Sequence, residues 1–152
     1  MIMGYYADCY VLTNNRTKKF IDEFLNFFMP NRKEQADICE IPQYGKETDE
    51  EFDSADKLIR YLELNGSTPH TIYWENLDNS EPRFANCFFT DDNKLIVGLG
   101  CNANDKTEDD LLLKLMNFCD TTDGYITYEQ PAPSNSSDFM ENVRRTNAQH
   151  KL

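Results

Sequence analysis

Two β-rich runs, Arg83 to Thr90 and Lys94 to Cys101, are separated only by Asp91-Asp92-Asn93. A short polar turn between two such runs predicts a β-hairpin. Part of any sheet this chain builds is therefore antiparallel.

The flanking sequence adds strands and helices in alternation. Tyr5 to Leu12 reads in period two, with Tyr5, Ala7, Cys9 and Val11 on one side and Tyr6, Asp8, Tyr10 and Leu12 on the other. That is a strand, and its first set is the expected core face. Thr17 is a plausible N-cap for a helix that Pro30 stops, with Ile21, Phe24, Leu25 and Phe28 as its buried stripe. Ala36 to Ile41 reads as a short strand closed by Pro42. A second helical stripe is Phe52, Ala55, Leu58, Ile59 and Leu62, capped by Asp53 or Ser54 or, starting earlier, by a Thr48-x-x-Glu51 capping box. The later start is favoured, and Gly66 is the expected left-handed residue after the helix. His70 to Leu77 is a strand. Beyond the hairpin, Asn104 to Thr107 offers caps for a third helix with Leu111, Leu112, Leu115, Phe118 and Cys119 on one stripe. Tyr125 to Glu129 is a last strand. Pro131 to Ser137 reads as a linker, and Phe139, Met140 and Val143 could seed a short tail helix capped by Ser136 or Ser137.

The expected order is β-α-β-α-β-β-β-α-β plus a tail. That is an α+β fold, a single mixed or antiparallel sheet with about three helices packed on a face. If the first β-α-β unit lies in one sheet, its two strands are parallel neighbours. The chain has 152 residues, 39% of them hydrophobic, enough for one core. The expected division is one domain over residues 1–130, with linker and tail over 131–152.

Charge narrows the function classes. Asp and Glu number 27 against 15 Lys and Arg, a net charge of −12, which argues against a nucleic-acid-binding face. The longest apolar stretch, Leu95 to Cys101, is broken by two glycines and is too short to span a membrane. The N-terminal residues show no basic and apolar signal-peptide regions, so the expected compartment is the cytoplasm. Cys9, Cys39, Cys87, Cys101 and Cys119 are odd in number, contain no C-x-x-C and sit in apolar surroundings. They read as reduced, mostly buried small hydrophobes.

No sequence constellation points to catalysis. The phosphate-loop, dinucleotide, nucleophile-elbow and zinc-protease patterns are absent. Gly98-Leu99-Gly100 has no third glycine and suits close packing under a large ring. The acids at 91–92 and 105–110 lack the calcium-loop pattern, so no metal and no cofactor are expected. His70 shows no pairing with a cysteine. Glu75 and Glu129, each following an aromatic, could form an acid–base pair only if the fold brings them together.

The strongest binding signal is the run Glu47, Asp49, Glu50, Glu51, Asp53 and Asp56, with no base between positions 47 and 56. Such charge serves solubility and helix caps, and it also attracts a cationic partner. Tyr73, Trp74 and Glu75 offer an aromatic anchor beside it. A second acidic group is Asp105, Glu108, Asp109 and Asp110.

The stretch Phe89-Thr90-Asp91-Asp92-Asn93-Lys94-Leu95-Ile96-Val97-Gly98-Leu99, the leucine-rich helix after it, and Gly124-Tyr125-Ile126-Thr127-Tyr128-Glu129-Gln130-Pro131-Ala132-Pro133 resemble small bacterial proteins of the toxin-immunity type. The resemblance covers about residues 70–133. It implies a compact, acidic, cytoplasmic, non-enzymatic protein that neutralises a toxin by binding it. The expected function is accordingly a non-catalytic inhibitor of a basic protein. Its rivals are a small α+β enzyme or ligand-pocket protein, and a homodimeric assembly domain.

Overall fold

The computed structural model describes residues 5–35, 39–41 and 50–150. The elements are β1 (Tyr6–Thr13), α1 (Lys18–Phe28), β2 (Arg32–Glu34), β3 (Cys39–Ile41), β4 (Glu50–Phe52), α2 (Ala55–Leu64), β5 (His70–Asn76), β6 (Phe84–Phe89), β7 (Leu95–Asn102), α3 (Lys106–Cys119), β8 (Gly124–Tyr128) and α4 (Ser136–His150). Six strands form one sheet in the order β2-β5-β6-β7-β1-β8, and every neighbouring pair is antiparallel. β3 and β4 form a separate antiparallel ribbon.

The β6–β7 hairpin runs in register from Phe84↔Gly100 to Phe89↔Leu95. Its turn closes with the Thr90 N–H donating to the Lys94 carbonyl at 3.1 Å, and Asn93 supplies the left-handed residue at φ 65°. Asn takes that conformation at low cost because its short polar side chain can bond locally. β1 pairs on β7's other edge and is itself flanked by β8, so it lies inside the sheet.

The first β-α-β unit is not a parallel pair. Both edges of β1 are taken by β7 and β8, and the chain leaving α1 enters β2 on the far edge, next to β5. β1 and β2 run in the same direction with three strands between them. Arg32-Lys33-Glu34 carries no apolar alternation, which suits a short charged edge strand. Of the strand expected over 36–41, residues 39–41 belong to the β3–β4 ribbon and 36–38 lie outside the described residues.

α1, α2 and α3 cover one face of the sheet. Ala7, Cys9, Val11, Cys87, Phe89, Leu95 and Val97 meet Ile21, Phe24, Leu58, Leu62, Leu111 and Leu115 there. The Thr17 hydroxyl caps α1 by accepting the Phe20 N–H at 3.1 Å. The Ser54 hydroxyl caps α2 by accepting the Lys57 N–H at 3.3 Å, the later of the two expected starts. Gly66 does not have a positive φ. Its role is close approach: a Cβ there would sit 2.2 Å from Asn93 Oδ1, and its carbonyl accepts the Asn93 N–H at 2.8 Å.

Among the described residues there are four helices, the fourth being the tail helix that Phe139, Met140 and Val143 suggested, longer than expected. α4 lies on the opposite face, where Phe139 and Val143 pack with Tyr10, Leu12, Phe88, Ile96 and Tyr125 in a second apolar cluster. Asn135, not Ser136 or Ser137, caps α4 by accepting the Asp138 N–H at 2.8 Å. The stretch expected to be linker and tail thus contributes a helix that buries part of the sheet.

Candidate functional site

The acids and aromatics singled out in the sequence do not converge. Glu47 and Asp49 lie outside the described residues, and Glu50 and Glu51 are carried by β4. Asp53 pairs with Lys57 at 2.9 Å, and Asp56 lies 3.6 Å from Lys18, which also holds Asp22 at 2.6 Å. The run is unbroken in sequence, but folding brings lysines to it from α1 and from its own next turn. Trp74 is only 3% exposed and belongs to the first core. Period two on β5 places it with Ile72 under the helices, so it is not a surface anchor. Tyr73 and Glu75 lie on the other face, half-buried, with the Tyr73 ring 6.2 Å from that of Phe88. Glu75 and Glu129 sit on β5 and just past β8, four strand spacings apart. At about 4.8 Å per spacing that is about 19 Å, too far for a glycosidase-type carboxylate pair. His70 is buried, its pKa pushed down to about 4 by that burial, and hydrogen-bonds to no cysteine among the described residues. Among those residues no cluster of His, Cys, Asp and Glu could hold a metal.

A different group does converge, at the end of the sheet where β1 begins and β7 and β8 finish. Tyr5, Tyr6 and Tyr128 are 51%, 39% and 43% exposed there. The Tyr5 and Tyr128 rings meet at a 60° tilt with centres 5.7 Å apart, and Tyr6 meets Phe84 edge-on at 5.3 Å. Strand alternation puts Tyr6 on the α4 side and Tyr5 with Tyr128 on the α3 side, so the rings border the sheet end on both faces.

Carboxylates surround these rings. Glu129, at φ 56°, turns back so that its Oε1 accepts the Tyr6 N–H at 3.3 Å. Glu81 Oε1 accepts from Asn102, at 3.2 Å from the backbone and 2.8 Å from Nδ2. Glu108 is buried at the start of α3. Its Oε1 accepts the Asn104 N–H at 2.8 Å while Asn104 Oδ1 accepts the Thr107 N–H at 2.7 Å, a reciprocal cap. Asp105 between them adopts φ 72°, ψ −50°, with the Lys106 N–H on the Asn104 carbonyl at 2.9 Å. This is a tight γ-turn, costing on the order of 1–3 kcal/mol for a residue with a side chain.

The site's fields are visible in its titrating groups. Burial opposes ionisation of Glu108, but N–H groups led by that of Asn104 outweigh it and hold its pKa below the usual value. Tyr128 is pushed up to about 12 by burial, by its hydrogen bond to Glu108 and by the charges of Glu108 and Asp105. The Cys101 thiol, beneath the same end, is pushed up to about 12 by burial and then by Glu81, Glu108 and Asp8. Asp8 itself is raised to about 6, chiefly by burial, with N–H groups of Gln130 and Glu129 holding it down and the Glu129 charge adding to the rise. The neighbouring cations do not neutralise this end. Lys106 is engaged with Asp110 at 3.2 Å, and Arg83 donates to the carbonyls of Asp78, Ser80 and Asn76.

Three exposed tyrosines set among Asp8, Glu81, Asp105, Glu108, Asp109 and Glu129 can attract a cation at long range and hold it by ion pairs and by ring faces. The Asp105–Asp110 group was legible in the sequence as an acidic cluster. Its meeting with Tyr5, Tyr6 and Glu129 was not, because that depends on β1 entering between β7 and β8. Compared with protein-family models, curated proteins and solved structures, the chain finds no match.

Proposed function

We propose that this chain is a non-catalytic binding protein that captures and inhibits a basic protein partner in the cytoplasm, without cofactor or metal, through the tyrosine-bordered acidic end of its sheet. The observation that carries the reading is the exposure of Tyr5, Tyr6 and Tyr128 together with carboxylates on both faces. The net charge of −12 supports it, because a strong field of one sign speeds encounter with a cationic surface. Tyrosine supplies rigid contact area, and the carboxylates select Lys and Arg on the partner. The acids of residues 50–56 contribute to the same long-range field.

The test is binding kinetics at two salt concentrations against the basic protein retained by the immobilised chain. Converting Glu81 and Glu129 to Gln, and Asp105 and Asp109 to Asn, lowers the on-rate by about tenfold or more and flattens its salt dependence. Tyr5→Ala and Tyr6→Ala raise the off-rate instead. An unchanged on-rate and salt slope in the four-site variant overturns the reading.

A further inference from the structure

Among the described residues β8 has β1 as its one neighbour and stands at the edge of the sheet. The Leu12 N–H bonds the Asp123 carbonyl at 2.9 Å, and β1 and β8 continue from there in register through Tyr10↔Tyr125 and Asp8↔Thr127. In an antiparallel ladder the bonded residues alternate, so Tyr125 and Thr127 turn their amides toward β1. Gly124, Ile126 and Tyr128 turn theirs outward. The Gly124 N–H is taken by the Thr122 carbonyl at 3.0 Å, which leaves Ile126 and Tyr128 on an edge where no strand among the described residues pairs with them.

A groove of about 500 Å³ runs along this edge. Its wall includes Tyr125 and Thr127 from one face of the strand and Ile126 and Tyr128 from the other, so it follows the edge rather than either face. α4 forms the far wall through Asn142 and Arg145. Among the described residues no carboxylate lines the groove, although Asp8 lies close enough to act on the Tyr125 hydroxyl that borders it. Arg145 donates to Asn142 Oδ1, and Asn142 Nδ2 donates to the Tyr125 hydroxyl at 3.1 Å, so the guanidinium is steadied over the opening. Arg144 is tied to Glu141 at 2.6 Å, whereas Arg145 has no carboxylate within ion-pair distance among the described residues.

We propose that the outer edge of β8 accepts an extended acidic peptide from a partner protein as a seventh strand, with a peptide carboxylate held by Arg145. Unpaired strand amides call for extended backbone. An exposed arginine facing a groove without acids calls for a negative side chain, and a guanidinium grips a carboxylate in a fixed fork. The attraction is local to Arg145, because the net charge of −12 repels an acidic peptide at long range, and it repels a second copy carrying −12 of its own more strongly. The groove shares Tyr128 with the site proposed for the basic protein, but it uses the outward backbone amide of that residue rather than its ring, and the charge it selects is opposite in sign.

The experiment uses the full chain and labelled synthetic peptides of alternating Val and Thr, read by fluorescence anisotropy. One peptide carries a central Glu, a second a Lys in its place, and two further Glu peptides are N-methylated at one or the other alternate set of backbone positions. The Glu peptide binds about tenfold or more tighter than the Lys peptide. One of the two N-methylated peptides fails to bind, and hydrogen exchange at Ile126 and Tyr128 slows on binding. R145E reverses the charge preference and R145Q abolishes it; both sit on an exposed position and leave the circular dichroism spectrum unchanged. Equal affinity for the two charges, indifference to R145E, or no binding of the Glu peptide in the millimolar range overturns the proposal. So does protection of Ile126 and Tyr128 that grows with protein concentration alone, which would make a second copy the occupant.

Discussion

Arg16 donates five hydrogen bonds, all to main-chain carbonyls: Leu62 at 2.9 Å, Thr90 at 2.6 Å, Lys94 at 3.1 Å, Asn65 at 3.1 Å and Thr68 at 2.8 Å. Its guanidinium also lies 5.0 Å from the centre of the Phe89 ring. One buried side chain thus ties the start of α1 to the end of α2 and to the β6–β7 turn. Its positive charge also suits the carbonyl-rich end of α2. Arg16→Met leaves these carbonyls unpaired and is expected to cost about 3–5 kcal/mol in urea unfolding, with Arg16→Lys recovering only part because three donors cannot span the set. A loss below about 1 kcal/mol would show that water replaces the guanidinium freely. Nothing in the sequence marks Arg16, since its partners come from two distant segments, residues 62–68 and 90–94. Asp8 makes a second test at this scale. Its folded pKa of about 6 lies above the ordinary 3.8, so the fold favours the neutral carboxyl. The stability tied to this group is complete below pH 3.8 and falls as pH rises through 6. Asp8→Asn should therefore gain stability relative to the parent between pH 4 and pH 8, measured by denaturant midpoints. A pH-independent difference would place the carboxyl in solvent.

At the level of elements, β7 explains why two glycines stand in a buried strand. A Cβ on Gly98 would lie 1.8 Å from Asn86 Oδ1 and 2.8 Å from the Tyr10 ring, and one on Gly100 would meet Phe84 at 3.4 Å. Large groups lie across both positions, as the sequence suggested. Gly98→Ala is expected to cost about 1–3 kcal/mol, and more than Gly100→Ala, in the same unfolding assay. In α1, Phe24 is fully buried, and Phe24→Ala should cost about 3–5 kcal/mol; Leu112 on α3 is only half-buried, so its truncation costs less. The hairpin, β1 and the apolar stripes of α1, α2 and α3 were legible because local periodicity is set by which face is buried. β2 was not, because three charged residues carry no period. The size of α4's role was not either. Phe139 and Val143 are sparse apolar positions in a polar helix, and only the uncovered aromatic face of Tyr10, Phe88 and Tyr125 gives them something to bury against. Trp74 was misplaced at the surface by its acidic neighbours, although its own alternation with Ile72 pointed inward.

Among the described residues α1, α2 and α3 pack on one face of the sheet and α4 covers part of the other, over Tyr10, Phe88 and Tyr125. Among the described residues Cys9, Cys87, Cys101 and Cys119 are free thiols, the first three buried. Burial, with nearby acids at Cys9 and Cys101, raises all four pKa values, so native thiols should react slowly while all five cysteines titrate in denaturant without reductant. The proposed function rests on the charge distribution. The acid run before α2 is partly met by lysines, whereas the sheet end at Tyr5, Tyr6 and Tyr128 keeps its carboxylates and its exposed rings together. That contrast can be measured directly by hydroxyl-radical footprinting of the chain, free and in complex with the basic partner proposed above. Tyr5, Tyr6 and Tyr128 should lose several-fold in oxidation on binding, while Phe27 on α1 and Tyr61 beside Phe52 stay as reactive as in the free chain. Unchanged tyrosines with protection at Tyr61 or Phe27 would contradict the assignment and move the interface to the helical face.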